Sequence, residues 1–282
     1  MKVAILESLA VSQEELQRRK APFEEKGVEF VEFERTTDKD KLIEEAKDAD
    51  AIIIANMPMP GEVISALDQL KFIDVAFTGV DHVGLEAART NNIAVSNASG
   101  YSNEAVSELV FGMTISLARN IRQTEDRCRE GKTKDGLVGW EIKGKTVGIV
   151  GYGKIGSRTA ELFHAFQADV LIYDPIELKN KPDYIEQTSL DDLLGRADIV
   201  VLHCPLIDAT RGMINAEKIA LMKKTAVLIN VARGPVVVAQ DLADALNNGV
   251  IAGAGIDVFD GEPPLDLNEP LLHCKNALVT PH

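Results

Sequence analysis

Apolar and polar positions fall into short, repeating blocks along this chain. In the first hundred residues, Val3–Leu6, Val28–Phe33, Ala51–Ala55, Phe72–Phe77 and Ile93–Val95 are apolar runs of strand length. Helical spacing fills the gaps. Ser12 with Glu15 makes a capping box for a helix reaching about Lys26, and Gly27 can end it. Asp38–Asp48 reads as an acidic, exposed helix. Strand–helix alternation of this kind predicts a parallel sheet covered by helices. The turns after two of these strands, Asn56-Met57-Pro58 and Thr78-Gly79-Val80-Asp81, are polar enough to line a cleft. No glycine-rich phosphate loop occurs among them.

From Tyr101 to about Glu130 one long helical pattern takes over. Most of its apolar positions read as ordinary packing, but a helix this long between two sheets also suits a dimer contact. Gly131–Trp140 is polar and glycine-containing, as a linker or arm would be. Beyond Lys145 the alternation resumes. Strands are expected at Thr146–Val150, Val170–Tyr173, Ile199–His203, Ala226–Val231, Ile251–Ile256 and from Ala277. Helices are expected to about Gln167 and over Ser189–Arg196, Asn215–Met222 and Gln240–Asn248. About six strands suit a doubly wound, Rossmann-type parallel sheet, so the fold class is α/β with a smaller α/β domain in front. The expected boundary separates residues 1–100 from residues 101–282.

The most informative stretch lies at the start of that second region. A strand, Thr146–Val150, runs into Gly151-Tyr152-Gly153-Lys154-Ile155-Gly156, then a helix, then a strand ending on Asp174. Gly151 permits a tight turn, Gly153 lets the backbone approach a pyrophosphate, and Gly156 lets helix and strand pack closely. The helix N-terminus offers N–H groups and a positive dipole to phosphates. Asp174 stands about twenty residues on, where a carboxylate can accept from adenosine ribose hydroxyls. A bare glycine turn is weak on its own, but here strand, helix and acid are all in place. The cofactor expected is NAD.

Composition narrows the partners. The 282 residues carry a formal charge of −14, which argues against nucleic acid and anionic membranes. An anionic substrate then needs a local cation. Hydrophobic residues make up 45% of the chain, but no apolar run reaches the roughly eighteen residues of a membrane helix. Cys128, Cys204 and Cys274 are scattered, so neither a disulfide framework nor a zinc site is indicated, and no metal is expected. With no leader pattern at the N-terminus, a cytoplasmic location is expected.

Ligands in open α/β sheets bind beyond the carboxyl ends of the strands, so polar residues there are the chemical candidates. Arg233 follows an apolar strand. It either caps a strand end at the surface or forks onto a carboxylate, and an acidic chain with a nucleotide site beside it favours the fork. Glu262 and His282 would each, alone, read as surface residues. Brought together, the carboxylate would raise the imidazole pKa and fix its tautomer, making a proton donor near neutrality. His203 is either a satisfied strand-end histidine or a cofactor contact. Cys204 reads as structural, as do His82 and His164.

GYGKIG with Asp174, HCPLIDATRGMIN, LINVARGPVV, AGAGIDVFDGEPP and TPH together resemble the successive signatures of the D-isomer-specific 2-hydroxyacid dehydrogenases. The resemblance covers nearly the whole chain. It implies a flavodoxin-like substrate domain, a Rossmann NAD-binding domain and a cleft between them. It implies an oxidoreductase that interconverts a small 2-oxoacid, such as glyoxylate, hydroxypyruvate or pyruvate, and its D-2-hydroxyacid. Arg233 would hold the substrate carboxylate, His282 would be the acid/base on the C2 oxygen, and Glu262 would tune it. Backbone groups of Lys154 and Ile155 would meet the pyrophosphate. Cys204, Pro205, Thr210, Val231, Ala232, Arg233 and Asp257, with His203, would line the cofactor. Thr78 and Gly79 would offer N–H groups to the substrate. The helix after Tyr101 resembles the family's homodimer element. The family pattern continues past the TPH histidine with a segment returning to the first domain. This sequence ends at His282, so that segment is not part of it and weaker activity is expected. Two other readings stay open, a phosphoglycerate-type dehydrogenase and a catalytically weak NAD(H)-sensing protein on the same fold.

Overall fold

Strands and helices alternate throughout the computed structural model, whose described residues are 1–262 and 264–282. They form two units, Met1–Tyr101 and Ser102–His282. In the first unit the strands are β1 (Lys2–Ile5), β2 (Glu29–Glu32), β3 (Ala51–Ile54), β4 (Phe72–Val75) and β5 (Ala94–Asn97). They pair in parallel in the order β2-β1-β3-β4-β5, the strand order of flavodoxin-like sheets. The helices are α1 (Gln13–Glu24), α2 (Lys39–Ala46), α3 (Gly61–Ser65) and α4 (Leu85–Thr90). Ser12 caps α1 by accepting from the Glu15 N–H at 3.2 Å. The Glu15 carboxylate turns instead to Arg18 and Arg19, each at 2.7 Å. Asp38 caps α2 through the N–H groups of Asp40 and Lys41. Helices α3 and α4 are too short to show a helical period. They approach closely because Gly84 lacks a side chain, whose first carbon would sit 2.6 Å from the Gly61 nitrogen. Leu6, Ile52, Ile54, Met57, Met59, Ile64 and Ile73 form the fully buried centre of this unit. Each contributes about 1.5–3 kcal/mol relative to exposure.

The second unit begins with α5 (Asn103–Ala118) and α6 (Ile121–Arg129). One continuous helix was expected here. The chain instead breaks at Asn120, which takes a left-handed conformation (φ 51°) tolerated by asparagine better than by most residues. The strands that follow are β6 (Thr146–Val150), β7 (Asp169–Tyr173), β8 (Ile185–Gln187), β9 (Ile199–Leu202), β10 (Val227–Asn230), β11 (Gly253–Ile256) and β12 (Ala277–Val279). They form one parallel sheet in the order β12-β11-β10-β9-β6-β7-β8. Among the described residues the strands of this sheet thus number seven where about six were expected. The extra one, β8, is a three-residue edge strand with no apolar run to betray it. Between them lie α7 (Lys154–Ala165), α8 (Leu190–Arg196), α9 (Ala216–Ala220) and α10 (Ala239–Asn247).

Both faces of this sheet are covered, as parallel sheets require. In β9, Val200 and Leu202 face a cluster with Leu193, Leu228 and Leu246, while Ile199 and Val201 face one with Val110, Phe163 and Ile229. The two-residue period of the strand deals its apolar residues to opposite sides. That explains why the sequence shows continuous apolar runs rather than alternation. Gly148 in β6 is needed because a side chain there would come within 2.3 Å of Leu193. Among the described residues no helix is long and apolar enough to cross a membrane, and no cluster of His, Cys, Asp or Glu is arranged to hold a metal ion.

Candidate active site

Strand order reverses between β6 and β9, and the crevice beyond their carboxyl ends is where an open α/β sheet takes a ligand. The turn from β6 into α7 is built there from its glycines. Gly151 has φ 95°, and a side chain on it would lie 2.8 Å from the Cys204 nitrogen at the end of β9. A side chain on Gly156 would come within 2.1 Å of the Gly151 carbonyl oxygen. Gly153, by contrast, faces open space. Packing inside the protein therefore demands two of these glycines, and Gly153 leaves the turn open to approach from outside. Gly153 caps α7 without any side-chain hydrogen bond, so the first-turn N–H groups of Lys154, Ile155 and Gly156 are presented as at any bare helix N-terminus. The donor set suits a pyrophosphate.

Asp174 follows β7 on the next strand. Its Oδ2 accepts from the Tyr152 N–H and its Oδ1 from the Ile176 N–H, both at 3.0 Å. The carboxylate is thus pinned beside the glycine turn, and each oxygen retains a second lone pair for a ribose hydroxyl.

His203 stands at the end of β9, its N–H donating to the Val150 carbonyl at 2.8 Å. Its ring Nε2 lies 2.9 Å from Thr159 Oγ1 on α7, which is 3.3 Å from Ser107 Oγ on α5. Burial lowers the imidazole pKa to about 3, so the ring is neutral at physiological pH. Cys204 beside it is buried, and that burial raises its thiol to about 11. Such a thiol is no nucleophile. Thr210 closes the loop after Pro205, donating to the Pro205 carbonyl at 2.6 Å and accepting from the Ile207 N–H at 2.9 Å.

Three further strand ends converge on Arg233, Glu262 and His282. Asn230, the buried last residue of β10, shapes the turn to Arg233: its amide accepts from the Ala232 N–H at 3.1 Å and donates to the Arg233 carbonyl at 3.0 Å. Arg233 Nη1 donates to the Ala232 carbonyl at 2.7 Å. The next residue, Gly234, must be glycine, because a side chain would come within 2.1 Å of the Phe259 backbone. In the neighbouring pair, Ile256 of β11 is in register with Val279 of β12. Asp257 and Thr280 are therefore side by side one step further on, and Thr280 Oγ1 donates to Asp257 Oδ1 at 2.5 Å. The same register carries His282 back against the loop from β11, where its Nδ1 lies 2.8 Å from Glu262 Oε1.

These contacts set the charge state. The hydrogen bond to Glu262 raises the His282 pKa against the opposing effect of burial; the charges of Glu262 and Asp257 add to the rise, and the Arg233 cation works against it. The Asp257 carboxyl is itself raised, chiefly by burial, with Thr280 and His282 opposing. The arrangement is an imidazole held by one carboxylate, backed by a second, with a guanidinium close enough to be felt.

All the residues expected from sequence to touch a dinucleotide, with Arg233, Glu262 and His282, lie in the second unit. Thr78 and Gly79 lie in the first, on the loop after β4, where the Thr78 carbonyl accepts from Asn97 Nδ2 at 2.6 Å. Asn230, Thr280 and Thr159 were assigned no role of their own from the sequence. The available signals were their places in the quoted motifs LINVARGPVV and TPH and a polar residue at the end of an apolar strand (Asn230) or directly beyond one (Thr280). His164, read as structural, stacks on Tyr184 with ring centroids 3.9 Å apart.

The family model described as D-isomer specific 2-hydroxyacid dehydrogenase, NAD binding domain, matches residues 111–282. A hydroxypyruvate reductase of Blautia hydrogenotrophica is 36% identical over 267 residues, covering 90% of this chain and 82% of that protein. A glyoxylate reductase of Thermofilum pendens is 38% identical over 254 residues, covering 86% and 74%. Among solved structures, a D-lactate dehydrogenase of Aquifex aeolicus complexed with NAD and lactic acid superposes with a TM-score of 0.87 at 30% identity, over 100% of this chain and 88% of that one.

Proposed function

Because the chain belongs to the D-isomer specific 2-hydroxyacid dehydrogenase family, we propose that Arg233, Glu262 and His282 are its reaction centre and that its substrate is a small 2-oxoacid. The chain is an NAD-dependent oxidoreductase of CH–OH donors, interconverting a 2-oxoacid and its 2-hydroxyacid. Residues 1–100 form the substrate domain in this reading and residues 101–282 the cofactor domain.

The observation that carries the proposal is the 2.8 Å contact of His282 Nδ1 with Glu262 in the electrostatic reach of Arg233. Glu262 keeps a proton on Nδ1, so the exchangeable proton is carried by Nε2. Arg233 binds the substrate carboxylate through its planar fork and orients the C2 carbonyl. His282 then gives its Nε2 proton to the C2 oxygen on reduction and takes it back on oxidation. NAD, when bound, supplies or accepts the hydride at C2. Gly151, Gly153 and Gly156 shape its pyrophosphate seat, with N–H groups from Lys154 and Ile155, and Asp174 takes the ribose. His203, Cys204, Pro205, Thr210, Val231, Ala232 and Asp257 line the remainder. Thr78 and Gly79 offer backbone N–H groups to the substrate carboxylate.

A panel of glyoxylate, hydroxypyruvate and pyruvate with NADH, beside 3-phosphoglycerate with NAD, tests this reading. Turnover of one or more of the first three, with D-configured products where C2 becomes a stereocentre, is expected. NADH binding without turnover of any of them would leave the NAD(H)-sensing alternative standing. On the cofactor side, Asp174 repels a 2′-phosphate, and residues 175–178 include no Lys or Arg to receive one. A strong preference for NADH is expected, and comparable kcat/KM with NADPH would contradict it.

The protein is further proposed to be a C2 homodimer built on α5, α6 and the arm to Trp140. Ile115, Ile121 and Val138 are exposed there. Light scattering at micromolar concentration should give the dimer mass; a monomer refutes the assignment. The three free cysteines support a reducing, cytoplasmic setting.

A further inference from the structure

The loop after β7 carries Asp174, and its shape depends on a residue outside the reaction centre. Gln187 ends the edge strand β8, where its neighbour Ile172 in β7 is in register with it, two residues before Asp174. From there its side chain binds the loop with both ends of the amide. Oε1 accepts from the Leu178 N–H at 3.0 Å. Nε2 donates to the Ile176 carbonyl at 2.9 Å and to the Asp174 carbonyl at 3.2 Å. Three backbone groups within residues 174–178 are thus held by one side chain. The same loop returns the grip, since the Ile176 N–H donates to Asp174 Oδ1. Gln187 fixes Ile176, and Ile176 fixes the direction of the carboxylate.

We propose that Gln187 is a positioning residue for cofactor selection: by clamping residues 174–178 it keeps the Asp174 carboxylate aimed at the adenosine ribose and the loop too tight to admit a 2′-phosphate. The inference rests on the reading of Asp174 as the ribose acceptor. Only an amide fits the clamp, because it must accept once and donate twice. Glutamate retains the acceptor, loses both donors and sets a second negative charge against two carbonyl oxygens. Leucine loses all three bonds at similar size. With the clamp gone, the loop samples other shapes and the carboxylate no longer has a fixed partner. NADH loses its ribose hydrogen bonds. NADPH, which never had them in full, loses less and gains room.

The test is direct titration of NADH and NADPH into the intact protein by calorimetry, for wild type, Gln187→Leu, Gln187→Glu and Asp174→Ala, beside kcat and KM. Gln187→Leu should raise the Kd for NADH about tenfold, as expected for the loss of one to two net hydrogen bonds, and that for NADPH by less than about threefold. The ratio of the two affinities therefore falls, while kcat at saturating NADH stays near wild type. Gln187→Glu should lower the ratio in the same direction, and it decides the matter if the leucine variant does not fold. Equal changes in both affinities, or none, in the Gln187 variants while Asp174→Ala collapses the ratio would overturn the clamp and leave the ribose reading intact. An unchanged ratio in Asp174→Ala would overturn the ribose reading and the clamp with it.

Discussion

Replacing Arg233 by lysine is expected to lower kcat/KM for 2-oxoacid reduction by about two orders of magnitude, on the order of 3 kcal/mol of transition-state binding. The reason is geometric rather than one of charge. Arg233 is presented by a turn that Asn230 shapes through two hydrogen bonds, with Gly234 packed against the backbone of the next strand loop. Its Nη1 is bound to the Ala232 carbonyl, which fixes the plane of the guanidinium. A carboxylate meeting that plane can take two parallel hydrogen bonds. Lysine keeps the positive charge but offers a point donor on a flexible stem, which orients nothing. The affinity for NADH, measured by titration, should change little. A lysine variant with near-normal kcat/KM would remove Arg233 from the role.

His282→Ala should cost more in kcat than in NADH binding, with reduction slowed by about 10²–10⁴-fold, the range of a positioned proton donor. The side chain is held by Glu262 at 2.8 Å and its pKa is raised principally by that bond, so its protonated, donating form is favoured. Water can replace the proton but neither its placement nor its acidity. Titration should still show NADH bound, because the glycine turn and Asp174 lie at other strand ends. If the alanine variant retains the wild-type rate, the proton comes from elsewhere and the assignment fails.

Much of this arrangement is legible in the amino-acid sequence. Continuous apolar runs separated by helical spacing identify a parallel sheet covered on both faces. The clustering of polar residues after those runs points to the strand ends. The misses have physical causes. Strand β8 is three residues long at a sheet edge, so it is neither buried enough nor long enough to leave a hydrophobic period. The break at Asn120 depends on one residue entering a left-handed conformation, which a pattern of apolar positions does not register. Asn230 and Gln187 act through their amides on backbone groups, and such bonds have no sequence period at all. The pairing of Glu262 with His282 is a matter of register between β11 and β12, separated from the motifs themselves by a loop of turns. Both partners are visible along the chain, and only the sheet joins them.

The most direct test of the reaction centre is the pH dependence of kcat/KM for reduction in the wild type and in Glu262→Gln. Reduction needs His282 protonated, and the folded protein raises its pKa above that of a free histidine. Efficiency should therefore be high at low pH and fall as pH rises through that raised pKa; oxidation should show the reverse. In Glu262→Gln the carboxylate that stabilises the imidazolium is gone, and the fall should move to lower pH. Coincident profiles for the two proteins, or a fall in Glu262→Gln at higher pH than in the wild type, would contradict the pairing of Glu262 with a proton-donating His282.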